Sequence, residues 1–236
     1  MTANADHTAR VWDPVTGQEL ARFDHDDVVN AAAFSPDGTR VATASADRTA
    51  RIWHVSSGRE LARLKHEFRV GKVTFSADGK LIVTVSENTA RVWDSEQGKE
   101  LTRLQHDQFV THAAFSPGGE HVVTASGDHT ARIWDVASGR SIAKLEHGDL
   151  AWQGQFSGDG KRLVTASTDH TARIVNTTTM LQQPSELMVQ ICRAADHYPT
   201  DFSAAEILGD RIVAASPTVP SALRRTCGSR ATARSE

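Results

Sequence analysis

A five-residue phrase returns along this chain at a nearly fixed step, and no other feature narrows the possible folds as much. Thr-Ala-Arg-(Val/Ile)-Trp stands at 8–12, 49–53, 89–93 and 130–134, and a fifth copy at 171–175 has Val175 in the Trp place. The steps are 41, 40, 41 and 41 residues. Two more markers keep the same register: His25, His66, His106 and His147, and, nine residues after each, Phe34, Phe75, Phe115 and Phe156. Every Phe opens a turn, reading FSPDG, FSADG, FSPGG or FSGDG. Three markers in register over four copies mean one supersecondary unit stacked again and again. The units run 24–64, 65–104, 105–145 and 146–178, and residues 1–23 hold only the second half of a unit.

Each unit reads as four short strands. In the first complete unit, Val29–Phe34 is apolar and is closed by Ser35-Pro36-Asp37-Gly38, where Pro presets φ and Gly accepts a positive φ. Arg40–Ser45, Thr49–His54 and 60–64 follow, separated by turn residues. Turn signals every 8–12 residues leave no room for helices of ordinary length, so the spacing predicts antiparallel β.

A unit of about 40–45 residues with four strands and an H…W-D signature resembles the WD-repeat β-propeller family. The motifs are Val-Trp-Asp at 11–13 and 92–94, Ile-Trp-Asp at 133–135 and Ile-Trp-His at 52–54, and the resemblance covers residues 4–178. It implies an all-β fold: an incomplete propeller, an arc of four to five four-stranded antiparallel blades, followed by an irregular or partly helical tail. It also implies a hydrogen-bonded tetrad in each blade, from Trp to Thr to His to Asp. By matching position these are His25, Thr43, Asp47 and Trp53; His66, Thr84, Glu87 and Trp93; and His106, Thr124, Asp128 and Trp134. In the second set the turn is one residue shorter, and the longer Glu87 is expected to reach His66 in place of Asp. The fourth unit has His147, Thr165 and Asp169, but Val175 has no N–H to give.

His, Thr and Asp in one cluster could suggest a hydrolytic triad, but four copies at a constant step fit a structural role, since an enzyme needs one site. No GxxxxGK[ST], GxGxxG, HxxxH or CxxC is present, so no catalytic residue, cofactor or metal is expected. The Arg at 10, 51, 91, 132 and 173 stands two residues before the Trp place in every unit, which fits a framework contact with a carboxylate rather than a phosphate ladder. His7, His129 and His170 share one turn position and read as solvated. With 26 Lys+Arg against 29 Asp+Glu the net charge is −3, so no nucleic-acid partner is expected. No apolar run is long enough to span a membrane, there is no secretory leader pattern, and two cysteines make no disulfide framework; these point to the cytosol.

Function on a repeat frame sits where the units differ. In the family resembled, the residues three and five after the His often form the partner-binding rim. Here the first set is Val28, Arg69, Phe109 and Leu150, and the second is Asn30, Gly71, Thr111 and Trp152. These positions differ in every unit, and aromatic anchors beside an Arg are the composition of binding hot spots.

After 178 the pattern dissolves. Ser185 to Ala195 fits a helix with Ser185 as N-cap, whereas 202–216 echoes 156–167 as the decayed first half of a further unit. Residues 179–216 thus read as a degenerate or helical extension, and 217–236 as a disordered tail. The order of repeats and tail is also similar to the C-termini of bacterial repeat-bearing signalling NTPases. The chain is expected to be either a fragment, an incomplete ring that associates through uncovered terminal blades, or a small closed ring, with the incomplete ring preferred. The function expected is a non-enzymatic scaffold presenting a rim to a protein or peptide. The alternative is the sensor end of a WD-repeat signalling NTPase or protease whose catalytic domain lies elsewhere.

Overall fold

A computed structural model describes residues 1–180. They form five successive antiparallel sheets, an incomplete propeller, ending in one helical turn, Thr177–Met180 (α1). The first sheet is Thr2–Ala3 (β1), Thr8–Trp12 (β2) and Glu19–Asp24 (β3). The second is Val29–Phe34 (β4), Arg40–Ser45 (β5), Thr49–His54 (β6) and Glu60–Lys65 (β7). The third is Lys72–Phe75 (β8), Leu81–Ser86 (β9), Thr89–Asp94 (β10) and Glu100–Gln105 (β11). The fourth is Val110–Phe115 (β12), His121–Ser126 (β13), Thr130–Asp135 (β14) and Ser141–Glu146 (β15). The fifth is Ala151–Phe156 (β16), Arg162–Ser167 (β17) and Ala172–Asn176 (β18). Strands are hydrogen-bonded in sequence order within every sheet. The proposed helix at 185–195 and the echo at 202–216 lie outside the described residues.

The core lies between sheets. The second strands β5, β9 and β13 are buried on both faces from their second residue on, which explains their unbroken runs of small and β-branched residues. One cluster joins Ala9, Val11 and Phe23 of the first sheet to Val29, Val41 and Trp53 of the second. The next joins Ala42, Ile52 and Leu64 to Val73, Phe75 and Trp93, and the third joins Val83, Val92 and Leu104 to Val110, Phe115 and Trp134. Each Trp therefore covers the face of the preceding sheet; Trp53 stacks on Phe23 with ring centroids 5.3 Å apart. At the last junction no Trp is available and Val175, in its place, is only half-buried; Ala125, Ala131 and Ala151 pack there with Leu145 against them. Close approach replaces the missing ring. A Cβ at Gly154 would stand 2.8 Å from Val123 Cγ2, so only glycine lets β16 settle there.

Bulges recur with the repeat. The first-to-second-strand ladder skips one residue between Val29 and Ala31, between Val110 and His112, and between Ala151 and Gln153. The skipped residues are Asn30, Thr111 and Trp152, three of the positions that vary between units; a bulge frees a side chain from the alternation of the strand and re-aims it.

The first sheet corrects one expectation. Residues 1–23 are not confined to outer strands, because Thr2 and Ala3 pair with Arg10 and Ala9. Thr2 stands ten residues before Trp12, the spacing of Thr43 to Trp53, and Trp12 Nε1 donates to Thr2 Oγ1 at 3.0 Å. That spacing is the signal the sequence reading passed over.

Strand β18 is exposed along most of its length, unlike β10 and β14. With no indole and an exposed outer strand, the fifth sheet should open most readily. Native-state amide exchange is expected to be faster in β17 than in its counterparts β9 and β13. Equal protection in the three would refute this account of the last junction.

Candidate functional site

Two sets of side chains meet on the loop face of the sheets: a buried framework and an exposed rim. In the second sheet Trp53 Nε1 donates to Thr43 Oγ1 at 2.8 Å, and Thr43 lies 2.6 Å from His25 Nε2. His25 Nδ1 lies 2.8 Å from Asp47 Oδ2. Burial lowers the His25 pKa, so the ring is neutral; Nδ1–H then donates to Asp47 and Nε2 accepts from the Thr43 hydroxyl. The fourth sheet repeats this, with Trp134 to Thr124 at 2.7 Å, Thr124 to His106 at 2.6 Å and His106 to Asp128 at 2.8 Å. Burial alone would raise the Asp128 carboxyl, but hydrogen bonds from Thr130 and His106 outweigh it and bring the pKa down to about 2. Asp47 is lowered in the same way by Thr49 and His25, against its burial. Arg51 and Arg132 join the network, each 2.8–2.9 Å from the turn carboxylate, and their guanidinium groups stand over the rings of Trp53 and Trp134.

The third sheet departs from this pattern, and Glu87 does not compensate. Ser86 pairs directly with Thr89, so only Glu87 and Asn88 span the turn. The Trp93–Thr84 and Thr84–His66 bonds remain, at 2.8 and 3.2 Å. No carboxylate reaches the imidazole, however, and His66 Nδ1 has no partner. The loss spreads. Without an Asp beside it, the Thr89 hydroxyl donates to the Ser86 carbonyl instead of holding the arginine, and Arg91 Nε is also left unpartnered. The Arg91 head turns to Glu67 and Glu100. Glu87 itself is exposed at φ 49°, a left-handed conformation that costs a non-glycine residue free energy. The turn residues His7, Arg48, His129 and His170 carry the same strain, at φ 65–69°, which the sequence reading did not foresee.

In the fifth sheet the network breaks twice. Val175 supplies no donor, as expected. His147 keeps its bond to Thr165 at 3.0 Å, but its Nδ1 stands 3.7 Å from Asp169, too far for a hydrogen bond. Asp169 is engaged by Thr171 and by the Gly148 N–H.

Seven of the eight rim positions separate into three kinds, and the eighth, Gly71, has no side chain. Asn30 Nδ2 donates to the Val70 carbonyl at 2.8 Å, and Thr111 Oγ1 to the Ala151 carbonyl at 2.9 Å. Both are ties from a bulge to the next sheet. Val28 and Leu150 are half-buried. Arg69, Phe109 and Trp152 are exposed, Phe109 by 48% and Trp152 by 60%. Phe68, 57% exposed on the same loop as Arg69, was missed; its position two after the His holds Asp27, Gln108 and Asp149 in the other units, and that contrast was available. Among the described residues no group of His, Cys, Asp and Glu could hold a metal ion, and no helix is long and apolar enough to cross a membrane.

Comparison with known proteins agrees with this architecture. A family model described as NWD2 C-terminal beta-propeller matches residues 62–215, and one described as WD domain, G-beta repeat, matches residues 17–54. The chain is 40% identical over 43 residues to a serine-threonine kinase receptor-associated protein of Dictyostelium discoideum. That stretch is 18% of this chain and 15% of the relative, so the chain spans less than a sixth of the relative's length.

Burial pushes the His66 pKa from 6.5 down to about 3, helped by the nearby Arg91 and Arg103. The unfolded chain takes up the proton near pH 6.5 while the folded chain does not. The stability this group contributes is therefore complete above pH 6.5 and is lost as the pH falls towards 3. Chemical denaturation of His66→Gln should show a shallower fall in stability between pH 6.5 and 4 than the unaltered chain. Identical slopes would mean that His66 is not buried neutral.

Proposed function

We propose that this chain, which belongs to the WD-repeat β-propeller family, is a non-enzymatic scaffold whose loop face receives a protein or peptide partner. Propellers of this family act in protein–protein interaction. The observation that carries the finer reading is the set of exposed rings at the loop ends of three successive sheets, Phe68 and Phe109 just before a first strand and Trp152 at the bulge of one. Exposed aromatic side chains on a rigid support lose little conformational freedom on binding and supply most of the apolar contact at hot spots. Replacing Phe68 and Trp152 together by Ala should leave the melting temperature within roughly 3 °C. The same change should weaken capture of partners, scored against the unaltered chain by quantitative mass spectrometry. A variant that unfolds, or one that captures the same proteins equally well, would reject the rim.

A second reading concerns association. The fifth sheet presents Val164, 42% exposed, and Ile174, 72% exposed, on adjacent strands. At the three preceding junctions a face of this kind is covered by the next sheet and its Trp. We infer that a second copy of the chain covers it. Light scattering across a concentration series should show a rising mass, and Ile174→Asp should abolish the rise. A concentration-independent monomeric mass for the unaltered chain would exclude this contact.

A further inference from the structure

Between the loops of the second, third and fourth sheets lies a cleft of about 500 Å³. Val85 and Val110 give it an apolar floor. It exists because the third sheet has glycine at the position that bulges in the second, fourth and fifth. A Cβ on Gly71 would meet only the Val85 carbonyl oxygen, at 3.9 Å, so any larger side chain there would enter the cleft. The same position carries Asn30, Thr111 and Trp152 in the other sheets.

The walls are chemically distinct. Phe109 forms one of them, and its ring is held in place: a Cβ on the neighbouring Gly127 would fall 2.7 Å from the ring edge, so the ring rests directly on that backbone. Arg69 and Glu87 stand on the others. Among the described residues neither forms an ion pair, whereas most other charges on this face are spent internally, Arg51 on Asp26 and Asp47, and Arg132 on Asp107 and Asp128. Asn30, also on the wall, has its amide committed to Val70. The third sheet has thus lost its turn carboxylate from the buried network and carries an exposed one, at a strained backbone position, beside a free guanidinium.

Resting on the rim reading above, we infer that this cleft receives a peptide segment of the partner in which an apolar side chain is flanked by one acidic and one basic residue. The apolar side chain lies on Val85 and Val110 against the Phe109 ring. The acidic residue meets Arg69 and the basic residue meets Glu87. The cleft is open to solvent, so it suits one side chain of a longer chain better than a free small molecule, which needs most of its surface enclosed. Opposed charges at two walls would also fix the direction of the peptide, since reversing it sets like charges against each other.

The test is to select heptapeptides from a random displayed library on the full chain, then to measure one enriched peptide by fluorescence anisotropy. Enriched sequences should share an apolar residue between opposite charges. Affinity should fall about tenfold or more for Arg69→Glu, for Glu87→Arg and for Gly71→Trp, which fills the cleft. The double variant Arg69→Glu with Glu87→Arg should prefer the peptide with its two charges exchanged. Melting curves check that each variant is folded; the two charge reversals are exposed and carry the test even if Gly71→Trp is not. Failure to enrich any such peptide, or binding indifferent to both charge reversals, would overturn the cleft. Peptides that respond to Phe68→Ala or Trp152→Ala but not to the charge reversals would overturn the cleft and leave the rim standing. Peptides indifferent to all of these variants would reject both.

Discussion

Everything in this fold hangs on what a single indole does at the end of each third strand. Its N–H is fixed inside its own sheet by a threonine hydroxyl, at 2.8 Å for Trp53 and Trp93 and 2.7 Å for Trp134. Its ring lies on the face of the sheet before it. One side chain thus orders a sheet internally and joins it to its neighbour. An indole N–H left unpaired in that environment would cost more than the ring's burial could spare, so the threonine is a requirement of the packing. Threonine in turn needs an acceptor, which neutral histidine supplies. Histidine then presents an N–H that an aspartate takes up. The sequence of partners follows from each group's unmet need.

Two natural departures show which links can be lost. The third sheet loses the last link, and the fault stays in the loop: the indole is still buried and still bonded. Removing the carboxylate leaves two buried nitrogens unpartnered but moves no strand. The fifth sheet loses the first link as well as the last. There Val175 stands in the indole's place, and the outer strand is exposed. What the fifth sheet lacks and the third keeps is the indole itself, a large aromatic contact together with its hydrogen bond.

The frame was legible in the sequence because it is periodic. Three markers at a 40- or 41-residue step fixed the strands and their order, and residue matching located the tetrads. What escaped was geometry that leaves no composition behind. Thr2 escaped because its strand is only two residues long. The left-handed φ at His129 and His170 escaped because those residues are not the Gly or Asn that such a backbone favours. Glu87 was misjudged because a longer side chain was weighed without the direction of a two-residue turn. The variable positions were found, but their roles were not, since a bulge can aim Asn30 at the next sheet's backbone as readily as at solvent.

The bulge explains how a repeated frame acquires individual character without losing stability. A residue excluded from the ladder at the loop face can change identity while every ladder pair around it stays the same. Asn30 and Thr111 use that freedom to tie sheets together, Trp152 to expose a ring, and Gly71 to leave a space. The space lies beside the turn where an exposed glutamate stands in place of the network's aspartate. Two departures that would each be a minor defect in a uniform array fall side by side, around the same cleft, and that coincidence is what gives the loop face a place unlike any other on the described sheets.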